Sequence, residues 1–161
     1  MLCSRGWVRM NDHVELHFRA MTLVDVPACL ALEAAVTSHP WTVESLQRAF
    51  KPYHWSCIAE REGRVVGFCV GLLVADEMSI LNVAVAADQQ RQGIGSQLLH
   101  RAFKACEEAG ALEVFLEVRQ SNESAQALYH KLDFHVVGIR ENYYPRMPEG
   151  REHALIMART I

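Results

Sequence analysis

Stretches in which apolar and polar residues alternate, or in which β-branched residues cluster, recur along most of this chain. Such stretches predict β-strands. The predicted strands cover residues 14–19, 55–59, 65–74, 78–86, 112–118, 134–139 and 154–158. A turn that contains Gly63 separates the second strand from the third, so we expect these two strands to be antiparallel neighbours.

Between these strands, apolar residues recur at the three- and four-residue spacing of amphipathic helices. Thr22, followed three residues later by Asp25, resembles a capping box and predicts an amphipathic helix that ends at residue 35. The other helices are predicted after Thr42, from residue 95 to a cap at Gly110, and over residues 122–132. Pro40 stops helical continuation before the second helix.

The order of elements indicates a mixed α/β (α+β) fold with about seven strands, mostly antiparallel, and about four flanking helices. Residues 78–118 form a strand-helix-strand unit, whose right-handed crossover makes its two strands a central parallel pair. A length of 161 residues, 50% of them hydrophobic, suits one buried core. We therefore expect one domain over residues 13–161, preceded by a non-essential tail over residues 1–12.

Composition narrows the function classes. The formal charge of −3 gives no basic field for a phosphate backbone, so we expect no direct nucleic-acid partner. No apolar run matches a membrane span or a signal peptide, so we expect a cytoplasmic protein with no membrane partner.

The five cysteines form no C-x-x-C pair and predict reduced core thiols. His13 and His17 have the spacing of a helical metal pair but lie in or beside a strand, so we expect no metal.

A glycine-containing segment, QRQGIGS over residues 90–96, joins a predicted strand to a predicted helix. Its glycines let the backbone approach a ligand, and the first turn of the helix offers free N–H groups to an anion. Arg91 adds positive charge. No lysine follows the second glycine as in a Walker A loop, and the three-glycine dinucleotide motif is incomplete, which disfavours a nucleotide triphosphatase or a dehydrogenase. An ordinary strand-to-helix turn is the alternative.

The segment from residue 82 to 95, NVAV followed by Q-x-x-G-x-G, resembles the pyrophosphate-binding motif of the GNAT acetyltransferases. LEVR-x-x-N from residue 116, ALY from residue 127 and Phe134 follow the family's later motif. The tyrosine-rich segment R-x-NYYP from residue 140, with GRE from residue 150 and IMA from residue 156, is similar to the family's ribosomal-protein-alanine N-acetyltransferases. The resemblance implies a single GNAT-type domain that uses acetyl-CoA as cosubstrate.

The same resemblance implies a set of cofactor-binding residues. Backbone groups of Val83 and Val85 would bind the pantetheine arm and the acetyl carbonyl, residues 90–95 would wrap the pyrophosphate, and the Asn122 amide would bind the pantetheine arm. The full set is Val83, Ala84, Val85, Gln90, Arg91, Gln92, Gly93, Ile94, Gly95, Ser96 and Asn122.

Acetyl transfer from a thioester to an amine moves two protons, and the resemblance assigns them to Glu117 as base and Tyr129 as acid. Asn122 and Tyr129 lie seven residues apart and share one helix face. The alternative for Tyr129 is an aromatic that holds its helix to the sheet. The alternative for Glu117 is a carboxylate that meets water or a partner at the end of its strand, on the face opposite Val114.

The acceptor implied by the resemblance is the N-terminal alanine of a small-subunit ribosomal protein. An α-amine has a pKa of about 7.7 to 8.0 against about 10.4 for lysine, so it loses its proton more easily. Tyr143 and Tyr144, in the connection between the last two strands, would hold the peptide opposite Trp41. Packing of the core or of a lid, without specificity, is the alternative for all three. A small-molecule amine and a non-catalytic acetyl-CoA-binding module are the alternative functions.

Two positions, and the loop over residues 146–149, depart from the family pattern. Asp133 stands where such sequences carry glycine after the tyrosine helix, and aspartate adopts a left-handed turn at a higher energetic cost than glycine. His153 replaces an acidic residue expected after Arg151 and Glu152. We expect the first departure to affect stability and the second to affect acceptor specificity.

Overall fold

The structure, a computed structural model, describes residues 14–161. The strands are Leu16–Arg19 (β1), His54–Arg61 (β2), Arg64–Val74 (β3), Glu77–Val85 (β4), Glu113–Arg119 (β5), His135–Pro145 (β6) and Arg151–Thr160 (β7). The α-helices are Val26–Val36 (α1), Val43–Gln47 (α2), Ile94–Ala109 (α3) and Glu123–Lys131 (α4). Short 3₁₀ turns cover Leu23–Asp25, Arg48–Phe50 and Ala87–Gln89.

All seven strands belong to one sheet, in the order β1-β2-β3-β4-β5-β7-β6. Every neighbouring pair is antiparallel except β4 and β5, which are parallel as the crossover through α3 requires. The predicted fold class, with its central parallel pair and its helices, is therefore confirmed.

The core lies on both faces of the sheet. On one face, α3 buries its apolar stripe, including Leu98, Leu99 and Phe103, against the central strands. On the other face, α1 and α2 cover β2 to β4 and bury residues such as Cys29 and Leu46. The predicted cap of α3 is confirmed at Gly110, whose φ of 73° is left-handed.

The cysteines and histidines singled out in the sequence are only partly described. Four cysteines are free and buried in the core, as predicted, whereas Cys3, His13 and the predicted tail fall outside the described residues. Over residues 14–161, no group of three metal-ligating side chains is arranged around a common point. In the same range, no helix combines the length and the apolar character that crossing a bilayer requires.

The first helix begins later than predicted. Thr22 and Asp25 do form a capping box, but it opens the 3₁₀ turn, and α1 starts only at Val26. The Asp25 carboxylate accepts from the Thr22 backbone N–H at 2.8 Å and from Arg19 at 2.7 Å, which holds the chain in that tight turn. The prediction that this helix is amphipathic is also wrong, because exposed alanines such as Ala31, and not polar residues, form the outer face of α1.

The last two strands are longer than predicted, which corrects the placement of the tyrosine pair. Tyr143 and Tyr144 lie in β6 and not in the connection to β7. The strand continues because Asn142 adopts a left-handed φ of 51° within an irregular stretch of the β6–β7 register. Arg151 donates to the carbonyls of Asn142 and Tyr143, which stabilises this bulge.

At the start of β5, Leu112 lies outside the strand and is exposed, although the sequence predicted it inside the strand.

Candidate active site

The parallel strands β4 and β5 separate beyond their first residues. They pair from Glu77 opposite Glu113 to Ile80 opposite Leu116, and no pairing between them continues past that point in the described chain. The register of β4 with β3 shifts by one residue at Leu81, which makes Leu81 a β-bulge. Beyond the bulge, the edge of β4 that carries Val83, Ala84 and Val85 therefore faces an open gap, where backbone groups can bind an extended ligand.

Residues 87–93, in the connection between β4 and α3, are called the phosphate loop below. Arg91 and Gly93 have φ angles of 59° and 78°, so the loop curls around the start of α3. A side chain added to Gly93 would have no atom within 4 Å, which leaves the approach to the helix open. The Gln90 side chain donates to the carbonyl of Val85 at 3.1 Å and closes the loop against β4.

The first turn of α3 completes this anion site. Ile94 is buried and anchors the helix, and Gly95 and Ser96 follow it in the same turn. A 16-residue helix presents its N-terminal N–H groups and the positive end of its dipole at this position. The loop and the helix together have the donor set that a pyrophosphate requires, so the predicted residues fit the phosphates of a coenzyme.

Asn122 is the N-cap of α4. Its side-chain oxygen accepts from the Ala125 backbone N–H at 3.2 Å, so the amide nitrogen is the group left to face a ligand. Gln126, one turn further, donates to the carbonyls of Arg119 and Gln120 at 3.1 and 2.9 Å. Gln126 thereby fixes the connection from β5 to α4.

Tyr129 is packed on the α3 side of the sheet. Its side chain is 7% exposed, and its ring meets Phe134 edge-on at 5.8 Å between centroids. Burial raises the pKa of the Tyr129 phenol above its ordinary range, with smaller contributions from Cys69 and Tyr144. The phenol is therefore protonated at neutral pH.

Glu117 projects from β5 toward the opposite face, where α1 and α2 lie. Its side chain is 29% exposed, and its Oε1 lies 2.7 Å from Nε of Arg140 in an ion pair. The sequence left open whether Glu117 meets a partner or lines the acceptor site, and the structure shows a partner, Arg140, and places Glu117 in the wall of a cavity. A role for Arg140 could not be predicted from the sequence. Glu117 in β5 and Arg140 in β6 are separated by β7, and no local spacing connects the two residues.

A cavity of about 650 Å³ lies on this face beside the separating strands. Its wall contains all four residues expected at the acceptor site, namely Trp41, Glu117, Tyr143 and Tyr144. The cavity also brings together side chains that the sequence did not indicate: Arg48, Glu77, Ser79, Leu81, Phe115 and Arg140. Tyr129 does not contribute to this wall, because it lies on the other face of the sheet.

The tyrosine pair in β6 is held by neighbouring arginines. The rings of Tyr143 and Tyr144 meet edge-on at 5.0 Å, and the guanidinium of Arg119 lies 4.4 Å from the centre of the Tyr144 ring. Arg119 also donates to the Pro145 carbonyl at 2.9 Å. Burial raises the pKa of Tyr144 to about 12, with contributions from the neighbouring Glu117 and Tyr143. Tyr144 therefore presents a neutral hydroxyl close to the carboxylate of Glu117.

Glu33, in α1, is a buried carboxyl group that sequence reasoning missed. It is 5% exposed, and its Oε1 accepts from the Asn82 side-chain amide at 2.7 Å. Its other oxygen has no hydrogen-bond partner among residues 14–161. Burial raises the pKa of Glu33, an effect that Asn82 and the backbone N–H of Trp41 partly offset. Glu33 therefore connects α1 to the separated half of β4, next to the wall of the cavity.

Comparisons with known proteins agree with this geometry. Residues 26–134 match the family model described as "Acetyltransferase (GNAT) family". The chain is 35% identical over 142 residues to the [ribosomal protein bS18]-alanine N-acetyltransferase of Escherichia coli strain K12, covering 88% of this chain and 95% of that protein. It is 36% identical over 145 residues to the putative bS18-alanine N-acetyltransferase of Bacillus subtilis strain 168, covering 89% and 94%.

The fold comparison gives the same result. The crystal structure of the ribosomal-protein-S18-alanine N-acetyltransferase from Escherichia coli matches with a TM-score of 0.86 and 34% identity, covering 91% of this chain and 94% of that one. The matched family region extends from α1 to Phe134 and so includes the phosphate loop, Glu117 and Tyr129. The chain therefore belongs to the GNAT family of N-acetyltransferases.

Proposed function

We propose that this protein transfers the acetyl group of acetyl-CoA to the N-terminal amine of a protein, with the alanine of a bS18-type small-subunit ribosomal protein as its acceptor. The observation that carries the proposal is the cavity that unites Glu117, Tyr143, Tyr144 and Trp41 beside the gap between β4 and β5. The names of the relatives from Escherichia coli and Bacillus subtilis support the choice of acceptor.

Several residues would hold acetyl-CoA, which supplies an activated acetyl group when bound. Backbone groups of Val83 and Val85 would bind the extended arm along the open edge of β4, and the Asn122 amide nitrogen would bind it from α4. The phosphate loop and the first turn of α3 would bind the pyrophosphate. Members of the GNAT family use acetyl-CoA, and the open edge and the loop fit this ligand.

Glu117 would take the proton from the acceptor amine, either directly or through a water molecule. Its Oε1 contacts Arg140, and a carboxylate has further lone pairs with which Oε2 can accept a proton. An α-amine, with a pKa of about 7.7 to 8.0, is already partly neutral near pH 7. Glu117 therefore has to remove a proton from only part of the α-amine population, whereas nearly all lysine side chains would need deprotonation.

Tyr129 would donate its proton to the sulfur of the leaving coenzyme A. Burial keeps the phenol protonated at neutral pH, as the direction of its pKa shift indicates. Glu117 and Tyr129 would act on the nitrogen and the sulfur of one tetrahedral centre, which would lie in the gap between β4 and β5.

A small cationic amine is the second candidate acceptor. Glu77 and Glu117 both line the cavity, and two carboxylates in one cavity suit a polyamine as well as a peptide amine. The two candidates differ in size and in the need for the tyrosine pair, because a polyamine has no peptide backbone for the tyrosine hydroxyls to bind.

The proposal can be tested by following free thiol release from acetyl-CoA. One sample contains a short peptide that begins with alanine, a second contains the same peptide blocked at its N-terminus, and further samples contain polyamines and aminoglycosides. We expect turnover with the free peptide alone. Turnover with the small amines only would contradict the acceptor, and an absence of turnover together with intact coenzyme binding would support a non-catalytic module.

A further inference from the structure

The hairpin between β2 and β3 contacts the phosphate loop through two arginines. Nη1 of Arg61, the last residue of β2, donates to Oε1 of Gln89 at 2.7 Å and to Oε1 of Gln92 at 2.8 Å. Arg64, the first residue of β3, donates to both carboxylate oxygens of Asp88 at 2.8 and 2.9 Å. The hairpin therefore holds the loop near both of its ends.

The hairpin is a rigid support for these contacts. Its two turn residues, Glu62 and Gly63, have left-handed φ angles of 52° and 72°, the combination that favours a tight two-residue turn. Arg61 and Arg64 form the final pair of the β2–β3 register. Both arginines therefore start from fixed backbone positions, and their side chains reach the loop without rearrangement of the hairpin.

The two arginines differ in environment. Arg64 and Asp88 are 57% and 56% exposed, so solvent weakens their ion pair. Arg61 is half-buried, and its Nε is buried with no hydrogen-bond partner among the described residues. One nitrogen of Arg61 thus connects two glutamines that lie three positions apart in the loop.

Between those glutamines the loop takes an uncommon conformation. Arg91 has a φ of 59°, a left-handed value that a residue with a side chain rarely adopts unless its surroundings impose it. Gln89 precedes Arg91 and Gln92 follows it, so the contacts from Arg61 fix the chain on both sides of this residue. These contacts keep the loop curled around the start of α3.

We propose that Arg61 is a positioning residue for acetyl-CoA, which holds the phosphate loop in the conformation that binds the pyrophosphate. It acts through Gln89 and Gln92, so that the loop does not have to be ordered at the moment of binding, and preorganisation of this kind increases affinity. The inference rests on the proposed use of acetyl-CoA, but it does not depend on the identity of the acceptor.

The first test is the dissociation constant of coenzyme A, measured by titration calorimetry without any acceptor. We expect Arg61→Gln to weaken binding about tenfold, because it removes a charged donor shared by two acceptors. Arg61→Lys should weaken binding to a similar extent, since one ammonium on a flexible stem does not reproduce the fixed contacts. Arg64→Gln is the matched control, and its effect should stay below about twofold.

The second test separates positioning of the loop from a general loss of structure. With Arg61→Gln, we expect kcat/KM for acetyl-CoA to fall about tenfold, while kcat/KM for acetyl-pantetheine, which has no pyrophosphate, stays at the wild-type value. An equal fall with both donors, full affinity for coenzyme A in Arg61→Gln, or full recovery in Arg61→Lys would overturn the inference alone. Failure of the wild-type protein to bind coenzyme A would overturn the proposed function as well.

Discussion

Glu117 and Arg140 form an ion pair at 2.7 Å across an intervening strand, because β7 lies between the strands that carry them. The pair joins the carboxylate that we propose as base to the strand that carries the tyrosine pair. Both side chains also line the cavity of about 650 Å³. The position of β6 is therefore coupled directly to the orientation of the Glu117 carboxylate.

Replacement of Glu117 by glutamine should lower kcat by about a hundredfold or more, because the amide does not accept the proton of the amine. The isosteric side chain keeps its volume, so coenzyme A binding should be unchanged. The measurement is free thiol release with the alanine peptide, together with calorimetry of coenzyme A. Glu113→Gln, an exposed position in the same strand, is the control and should keep full activity. Wild-type turnover by Glu117→Gln would remove Glu117 as the base.

Removal of the Tyr129 hydroxyl in Tyr129→Phe should lower kcat by about a hundredfold, since the leaving thiolate loses its proton donor. The ring stays buried against Phe134, so the thermal unfolding temperature should change little. Tyr53→Phe provides the control, because Tyr53 is 74% exposed. A variant with normal kcat would show that Tyr129 only packs α4 against the sheet.

Replacement of Glu33 by glutamine should increase the free energy of unfolding at pH 7. Burial raises the pKa of Glu33 in the folded state, so the folded protein holds this proton more tightly than the unfolded chain. Stability from this group is complete below the unfolded pKa and is lost as pH rises through the folded pKa. Glutamine still accepts from Asn82 and has no charge to bury.

Urea unfolding of the wild type and of Glu33→Gln at pH 7 and at pH 4 measures this effect. The advantage of the variant should be present at pH 7 and should shrink at pH 4, where the wild-type carboxyl is largely protonated in the unfolded chain as well as in the folded state. A variant that is less stable than the wild type at pH 7 would show that the charged form of Glu33 stabilises the fold.

Asp133→Gly should stabilise the protein by about 1 kcal/mol without changing activity. Asp133 has a φ of 62°, a left-handed value that costs a residue with a side chain more than it costs glycine. The gain should raise Tm by about 2 to 4 °C. Asp133→Ala is the matched control and should lower Tm, because alanine has neither the freedom of glycine nor a polar side chain suited to this turn. Equal Tm values for all three proteins would contradict the argument.

Features that depend on local spacing could be predicted from the sequence. The parallel pair followed from the crossover rule, and the helix after the glycine-containing loop followed from the apolar spacing along residues 95–106. The left-handed turn at Asp133 was expected because glycine is usual there, and the structure confirms it.

Features that depend on contacts between distant residues could not be predicted. The pair of Glu117 with Arg140 requires the sheet order, and the placement of Tyr143 in β6 requires the bulge at Asn142. The burial of Glu33 requires its contact with Asn82 of β4, 49 positions along the chain. The contacts of Arg61 with the phosphate loop likewise join residues that are 28 and 31 positions apart.

The single extra residue at Leu81 exchanges the faces of the sheet to which the odd- and even-numbered side chains of β4 point. Before it, Met78 and Ile80 point to the α3 face, and after it the even-numbered Asn82 and Ala84 point to the α1 face. One inserted position thus lets the same strand fill the core on one side and reach Glu33 on the other. Deletion of residue 81 would move every later side chain of β4 to the opposite face of the sheet. A substitution at this position would leave those side chains on their present faces.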